Sequence, residues 1–223
     1  MTMKQAAVLF DLDGTLADTA ADLCGALNQL LAEAGRPPVP LSRTRRYTSS
    51  GARGMIAAGF GLSADDPQYP ALKDRFLEIY GTRLAQDTRL FEGMDALLNQ
   101  LDEAGVPWGV VTNKIARFTQ PLLQALGVAA RASVVVSGDT TPHTKPHPAP
   151  LFFAATTMDI DPSRCFYVGD DFRDVQAAHA AGMRAIVALY GYLGDGPAPE
   201  LWGADASISH PRELPRTLRG LVS

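Results

Sequence analysis

Five short apolar runs recur along this chain, at 6–10 (AAVLF), 107–111 (PWGVV), 133–136 (SVVV), 165–168 (CFYV) and 185–189 (AIVAL). Runs with no polar alternation suit strands covered on both faces, the condition of a parallel sheet. Between them lie segments of helical period at 94–104, 118–126 and 175–181, each followed by a glycine: Gly105, Gly127 and Gly182. A glycine just past the last periodic residue is the expected helix stop. Strands alternating with helices predict an α/β sandwich, a parallel sheet flanked by helices.

One stretch breaks the alternation. From 18 to 87 no strand-like run occurs, and helical patterns follow one another. Leu23, Leu27, Leu30, Leu31 and Ala34 form a single apolar stripe that stops at Gly35, Pro37 and Pro38. Further helices are expected at 52–60 and 70–84. So much helix cannot be a simple crossover between two strands. The expectation is an inserted α-helical domain at 18–87 beside a core formed by 1–17 and 88–223.

The remaining composition mostly excludes. Twenty Lys+Arg against 24 Asp+Glu give a formal charge of −4, which offers no electrostatic case for nucleic acid or an anionic membrane as partner. Lysine occurs only at 4, 73, 114 and 145. Cys24 and Cys165 lie far apart in apolar surroundings with no metal-ligand spacing, so both are expected buried and reduced. No uncharged run approaches a membrane span, and the N-terminal apolar run is too short for a signal-peptide core. The expectation is a soluble, cytoplasmic protein, monomer or homodimer.

Ligands of open parallel sheets bind outside the carboxyl ends of the strands. After the first run comes Asp11-Leu12-Asp13-Gly14-Thr15, and after the second Thr112-Asn113. Lys145-Pro146 follows the third and Gly169-Asp170-Asp171-Phe172-Arg173-Asp174 the fourth. Asp11 and Asp13 alternate and can face the same side. An EF-hand reading of Asp11–Asp13 fails, because Gly14 stands too early and Asp22 occupies the bidentate Glu position. His143 and His147 are four apart, but Pro146 and Pro148 forbid the helix that would pair them. The trio Arg43, Arg45 and Arg46 is read as a solvated face, and 190–205, with LWGAD, as a surface excursion.

In this order, DLDGT, VVTN, KP and GDDFRD resemble the four signatures of the haloacid dehalogenase-like hydrolase superfamily, over essentially the whole chain. The resemblance implies a Rossmann-like core with the helical insert as a cap domain. It also implies phosphoryl transfer to a carboxylate. Asp11 would be the nucleophile and Asp13 the acid–base that protonates the leaving alcohol and then activates water. Mg²⁺ would be held by Asp11, the backbone carbonyl of Asp13, and Asp170, with Asp171 and Asp174 unranked behind them. Lys145 would neutralise Asp11 and the phosphoryl oxygens, which Thr112 and the Asn113 backbone would also hold.

Asp13 argues against dehalogenation, since a halide leaves without a proton. The insert has a single lysine, Lys73, late in its sequence, which disfavours phosphonate cleavage through a Schiff base. A phosphomutase of β-phosphoglucomutase type shares the core residues and stays open, as does a non-catalytic binding member. A receiver domain would be much shorter and lack the insert. In the insert, the polar turn at 48–53 is read as the substrate-reading element, through Ser50, Gly51 and Arg53. The whole chain resembles the phosphoglycolate phosphatase group, and stretches at 49–60, 90–94, 108–114 and 202–205 resemble its N-acetylmuramic acid 6-phosphate phosphatase branch. That implies a small phosphorylated substrate, N-acetylmuramate 6-phosphate or 2-phosphoglycolate.

Overall fold

A computed structural model describes residues 6–222. Strand β1 (Ala7–Phe10) turns into β2 (Ala17–Asp18), and four helices follow: α1 (Ala20–Glu33), α2 (Leu41–Thr44), α3 (Gly51–Phe60) and α4 (Tyr69–Thr82). A 3-10 stretch, Arg45–Ser50, joins α2 to α3. The chain returns through β3 (Arg89–Leu90). It continues as α5 (Met94–Glu103), β4 (Trp108–Val111), α6 (Ala116–Ala125), β5 (Val134–Val136) and α7 (Ala149–Thr157). It ends with β6 (Cys165–Gly169), α8 (Phe172–Ala180), β7 (Arg184–Ala188), β8 (Ala206–Ile208) and α9 (Leu214–Val222).

Six strands form one parallel sheet in the order β5-β4-β1-β6-β7-β8. All five apolar runs are strands of it. The sixth strand, β8, escaped the sequence reading because its three residues are half-buried, exposed and buried in turn, so no apolar run marks it. Strand order runs outward from β1 in both directions, which makes the carboxyl end of β1 the switch point where such sheets bind ligands.

Alternate residues of β1 supply two cores. Val8 and Phe10 pack with Trp108, Phe166, Leu98 and Leu122 on one face. Ala7 and Leu9 pack with Val136, Tyr167, Leu151 and Val175 on the other. The helical block has its own core of Leu23, Leu27, Leu31, Met55, Phe76 and Tyr80, joined by Phe118 from α6. Its entry and exit lie side by side, since β2 and β3 pair antiparallel with Ala17 opposite Leu90 and Asp18 opposite Arg89. Cys24 and Cys165 are buried and unpaired. No helix among the described residues is long and apolar enough to cross a membrane.

Candidate active site

Asp11 ends β1 at the switch point, 7% exposed. Its Oδ1 accepts from the Leu12 amide at 2.7 Å and meets Lys145 Nζ at 2.9 Å. The other oxygen accepts no hydrogen bond among the described residues and is the one left for chemistry. Lys145, buried below, also donates to Asp174 Oδ1 at 2.8 Å and to the Tyr167 hydroxyl at 2.6 Å. Tyr167 in turn donates to the Val111 carbonyl at 2.7 Å, so the ammonium rests on a buttress joining β6 to the end of β4.

Carboxylate oxygens of Asp11, Asp170 and Asp174 lie within 4.8 Å of one another, all three residues buried. Burial above all raises the Asp11 carboxyl to about 6, with Lys145 opposing and Asp174 adding to the rise. Asp170 is pushed well above the carboxylate range, by burial first and then by the charges of Asp11 and Asp174. For Lys145, burial favours the neutral amine, but Asp11 and Asp174 outweigh it and the net shift is upward. One ammonium does not balance three buried carboxylates. An all-oxygen cluster short of positive charge fits a hard divalent cation.

Glycines let the cluster close. Gly14 has φ of +90°, and a Cβ there would come 2.2 Å from Asp170 Oδ2. A Cβ on Gly191 would lie 2.3 Å from that of Asp170. Asp170 is further fixed by the Thr15 hydroxyl (2.8 Å), the Tyr192 amide (2.9 Å) and the Ser49 hydroxyl of the helical block (3.1 Å).

The structure separates the two carboxylates that sequence left unranked. Asp171 is the N-cap of α8, accepting from the Arg173 amide at 2.9 Å and pairing with its guanidinium. Asp174 closes the capping box through the Asp171 amide and turns its other oxygen to Lys145. Asp170 precedes α8, and it converges with Asp174 across the strand-to-helix turn.

Asp13 turns away from this cluster. Its Oδ1 accepts from the Thr19 hydroxyl at 2.6 Å and pairs with Lys114 Nζ at 3.0 Å. Lys114 donates as well to the Tyr80 hydroxyl of α4 at 3.0 Å. Thr112 is buried in the cavity wall, its hydroxyl accepting the Lys114 amide at 3.1 Å. The Asn113 side chain is spent on the chain itself: Nδ2 donates to the Lys145 carbonyl and Oδ1 accepts the Lys145 amide, both at 2.9 Å.

These groups share one cavity of about 350 Å³ between the sheet edge and the helical block. Asp11, Asp13, Thr112, Lys114 and Lys145 form its floor, and Ser49, Ser50, Gly51 and Arg53 reach it from the 3-10 turn that runs into α3; the 48–53 segment expected as a turn is helical throughout. Leu23, Tyr69, Lys73, Phe76, Leu77 and Tyr80 also line it. Arg173 Nη2 donates to the Ser49 carbonyl at 2.9 Å and holds that turn against the core.

Two expectations need correction. The 190–205 segment is not simply a surface excursion. The Tyr192 hydroxyl reaches the Thr19 amide at 2.8 Å and Asp18 at 3.0 Å, Tyr190 donates to the Thr15 carbonyl, and Trp202 is buried. Nor is Arg45 merely solvated, since it forks onto Asp18 at 2.9 and 3.1 Å and lies over the Tyr192 ring. His143 and His147 do sit in a loop, rings 4.3 Å apart. Sequence reasoning missed roles for Lys114, Tyr167, Ser49 and Tyr192. Only the scarcity of lysine pointed to the first.

Comparison with known proteins places this architecture. The sequence profile of the haloacid dehalogenase-like hydrolases matches residues 8–188. The N-acetylmuramic acid 6-phosphate phosphatase of Pseudomonas aeruginosa is 44% identical over 95% of this chain and 94% of its own. A phosphoglycolate phosphatase of Xanthomonas campestris pv. campestris is 43% identical over 93% and 94%. A crystal structure of a predicted phosphoglycolate phosphatase from Haemophilus somnus superposes with a TM-score of 0.85 at 26% identity, over 98% of this chain and 99% of that one. Identities of 44% and 43% do not choose between the two named activities.

Proposed function

The chain belongs to the haloacid dehalogenase-like hydrolases and is a phosphatase, and on that premise we propose that it hydrolyses the phosphate monoester of an amino-sugar acid, N-acetylmuramate 6-phosphate, through an aspartyl phosphate on Asp11. The free oxygen of Asp11 attacks phosphorus, while Lys145 and the Thr112 hydroxyl hold the phosphoryl oxygens together with the Asn113 backbone. Asp13 gives its proton to the departing sugar hydroxyl, then takes one from the water that cleaves the acyl phosphate. Asp11, the Asp13 carbonyl and Asp170 would hold Mg²⁺, with Asp174 adjoining. When bound, the ion supplies positive charge against the phosphate and the carboxylates. The helical insert at 18–87 acts as the cap, presenting Ser50, Gly51 and Arg53 to the non-phosphate end.

The cavity carries the choice of substrate. A volume of about 350 Å³ lies in the range that encloses a molecule of many heavy atoms. A two-carbon phosphoglycolate would leave most of it to water. The wall of Leu23, Phe76, Leu77 and Phe118 suits the apolar faces of a pyranose and its acyl substituents. The deciding measurement is kcat/KM for N-acetylmuramate 6-phosphate and 2-phosphoglycolate on one preparation, followed by phosphate release. A preference for phosphoglycolate rejects the sugar reading. A rearranged sugar phosphate without free phosphate establishes a mutase instead.

A further inference from the structure

Only four of the 20 cationic side chains are lysines. Lys4 lies outside the described residues. The other three, drawn from three distant parts of the chain, all line the one cavity. Two are neutralised there, Lys145 by Asp11 and Asp174, and Lys114 by Asp13. Arg173 is likewise taken up by Asp171. Lys73, on α4, and Arg53, on α3, form no ion pair or hydrogen bond among the described residues. Three core cations thus pair with all four cavity-lining carboxylates, and the two lining cations without a carboxylate both belong to the helical block.

We infer that Lys73 and Arg53 form a second anion subsite in the cap wall, which takes a carboxylate carried by the phosphate ester and so selects the substrate. This rests on the reading of the cavity as the substrate site. The phosphate is accounted for at Asp11 and Lys145, so the remaining cations face the other end of the molecule. Tyr69, Phe76 and Leu77 line the same wall. The Lys73 and Arg53 side chains are exposed in the protein alone, so a pair with a substrate carboxylate gains strength over open water where the bound molecule and this apolar surface exclude solvent. The Arg53 charge is also felt at the Tyr69 hydroxyl, which ties Arg53 to that wall. A lysine kept merely for solubility would have no reason to share a cavity with the only two others described.

The test uses matched pairs differing by one carboxylate. N-Acetylmuramate 6-phosphate is compared with N-acetylglucosamine 6-phosphate, which has the same ring and phosphate without the lactyl group. 2-Phosphoglycolate is compared with ethyl phosphate. Kinetics are measured on the full-length Mg²⁺-loaded enzyme and on Lys73→Met, which keeps length and bulk, and Lys73→Glu. The expected result is that the kcat/KM ratio within the preferred pair falls about 10-fold in Lys73→Met, through KM, and further in Lys73→Glu. An unchanged ratio, or equal losses on both members, overturns the subsite. If the second pair is the preferred one, the sugar reading fails while the ratio within that pair still decides the subsite.

Discussion

Lys114 Nζ lies 3.0 Å from Asp13 Oδ1 and donates at 3.0 Å to the Tyr80 hydroxyl, so one buried ammonium joins the carboxylate proposed as acid–base to a helix of the helical block. Burial lowers the Lys114 pKa, but Asp13 and Tyr80 outweigh it and the net shift is upward, so Lys114 carries its charge at neutral pH. Lys114 therefore orients Asp13.

Removing that charge by Lys114→Met should lower kcat for an alkyl phosphate by about 10-fold or more, the scale of a lost charge-assisted hydrogen bond. p-Nitrophenyl phosphate, whose leaving group needs little protonation, should lose less. Steady-state kinetics on both esters checks this; equal losses would mean that Lys114 does not act through Asp13.

Asp11→Asn should abolish turnover and Asp13→Asn should reduce it by about 10²–10⁴-fold, both with the fold intact. Single-turnover assays and thermal unfolding of each variant check this. Retention of more than about a tenth of wild-type activity by either would contradict their roles.

Mg²⁺ should be required, Ca²⁺ should fail to replace it, and Asp170→Ala should resemble metal removal. Ca²⁺ takes looser, larger coordination than Mg²⁺ and would misplace Asp11. Activity after exhaustive chelation and metal add-back is the measurement, and full turnover without metal would defeat the cation reading.

The metal-free protein should carry a pH-dependent penalty from its carboxylate cluster. Asp11 has its carboxyl raised from 3.8 to about 6, so between these values the folded state binds more protons than the unfolded one and stability falls as pH rises. The Asp11→Asn protein should therefore gain Tm over wild type in chelator, little at pH 4 and most above pH 6. Added Mg²⁺ should erase the gain. A difference independent of pH would show that Asp11 is not destabilised by its surroundings.

The core was legible because its determinants are local. A fully buried parallel strand must be apolar throughout, so AVLF, WGVV and CFYVG announce themselves. Strand ends in such a sheet converge, so Asp11, Asp13, Thr112, Lys145 and Asp170 could be brought together from sequence order alone. What the tertiary structure decided has no local signature. Asp171 and Asp174 are equivalent in sequence until the capping box sends one to Arg173 and the other to Lys145. Tyr192 reads as a loop residue until its hydroxyl meets Thr19, 173 positions away. Lys73, Lys114 and Lys145 share a cavity only because the insert folds back over the sheet edge. Period and turn chemistry are written residue by residue, whereas the partner of a buried charge is set by packing between distant segments.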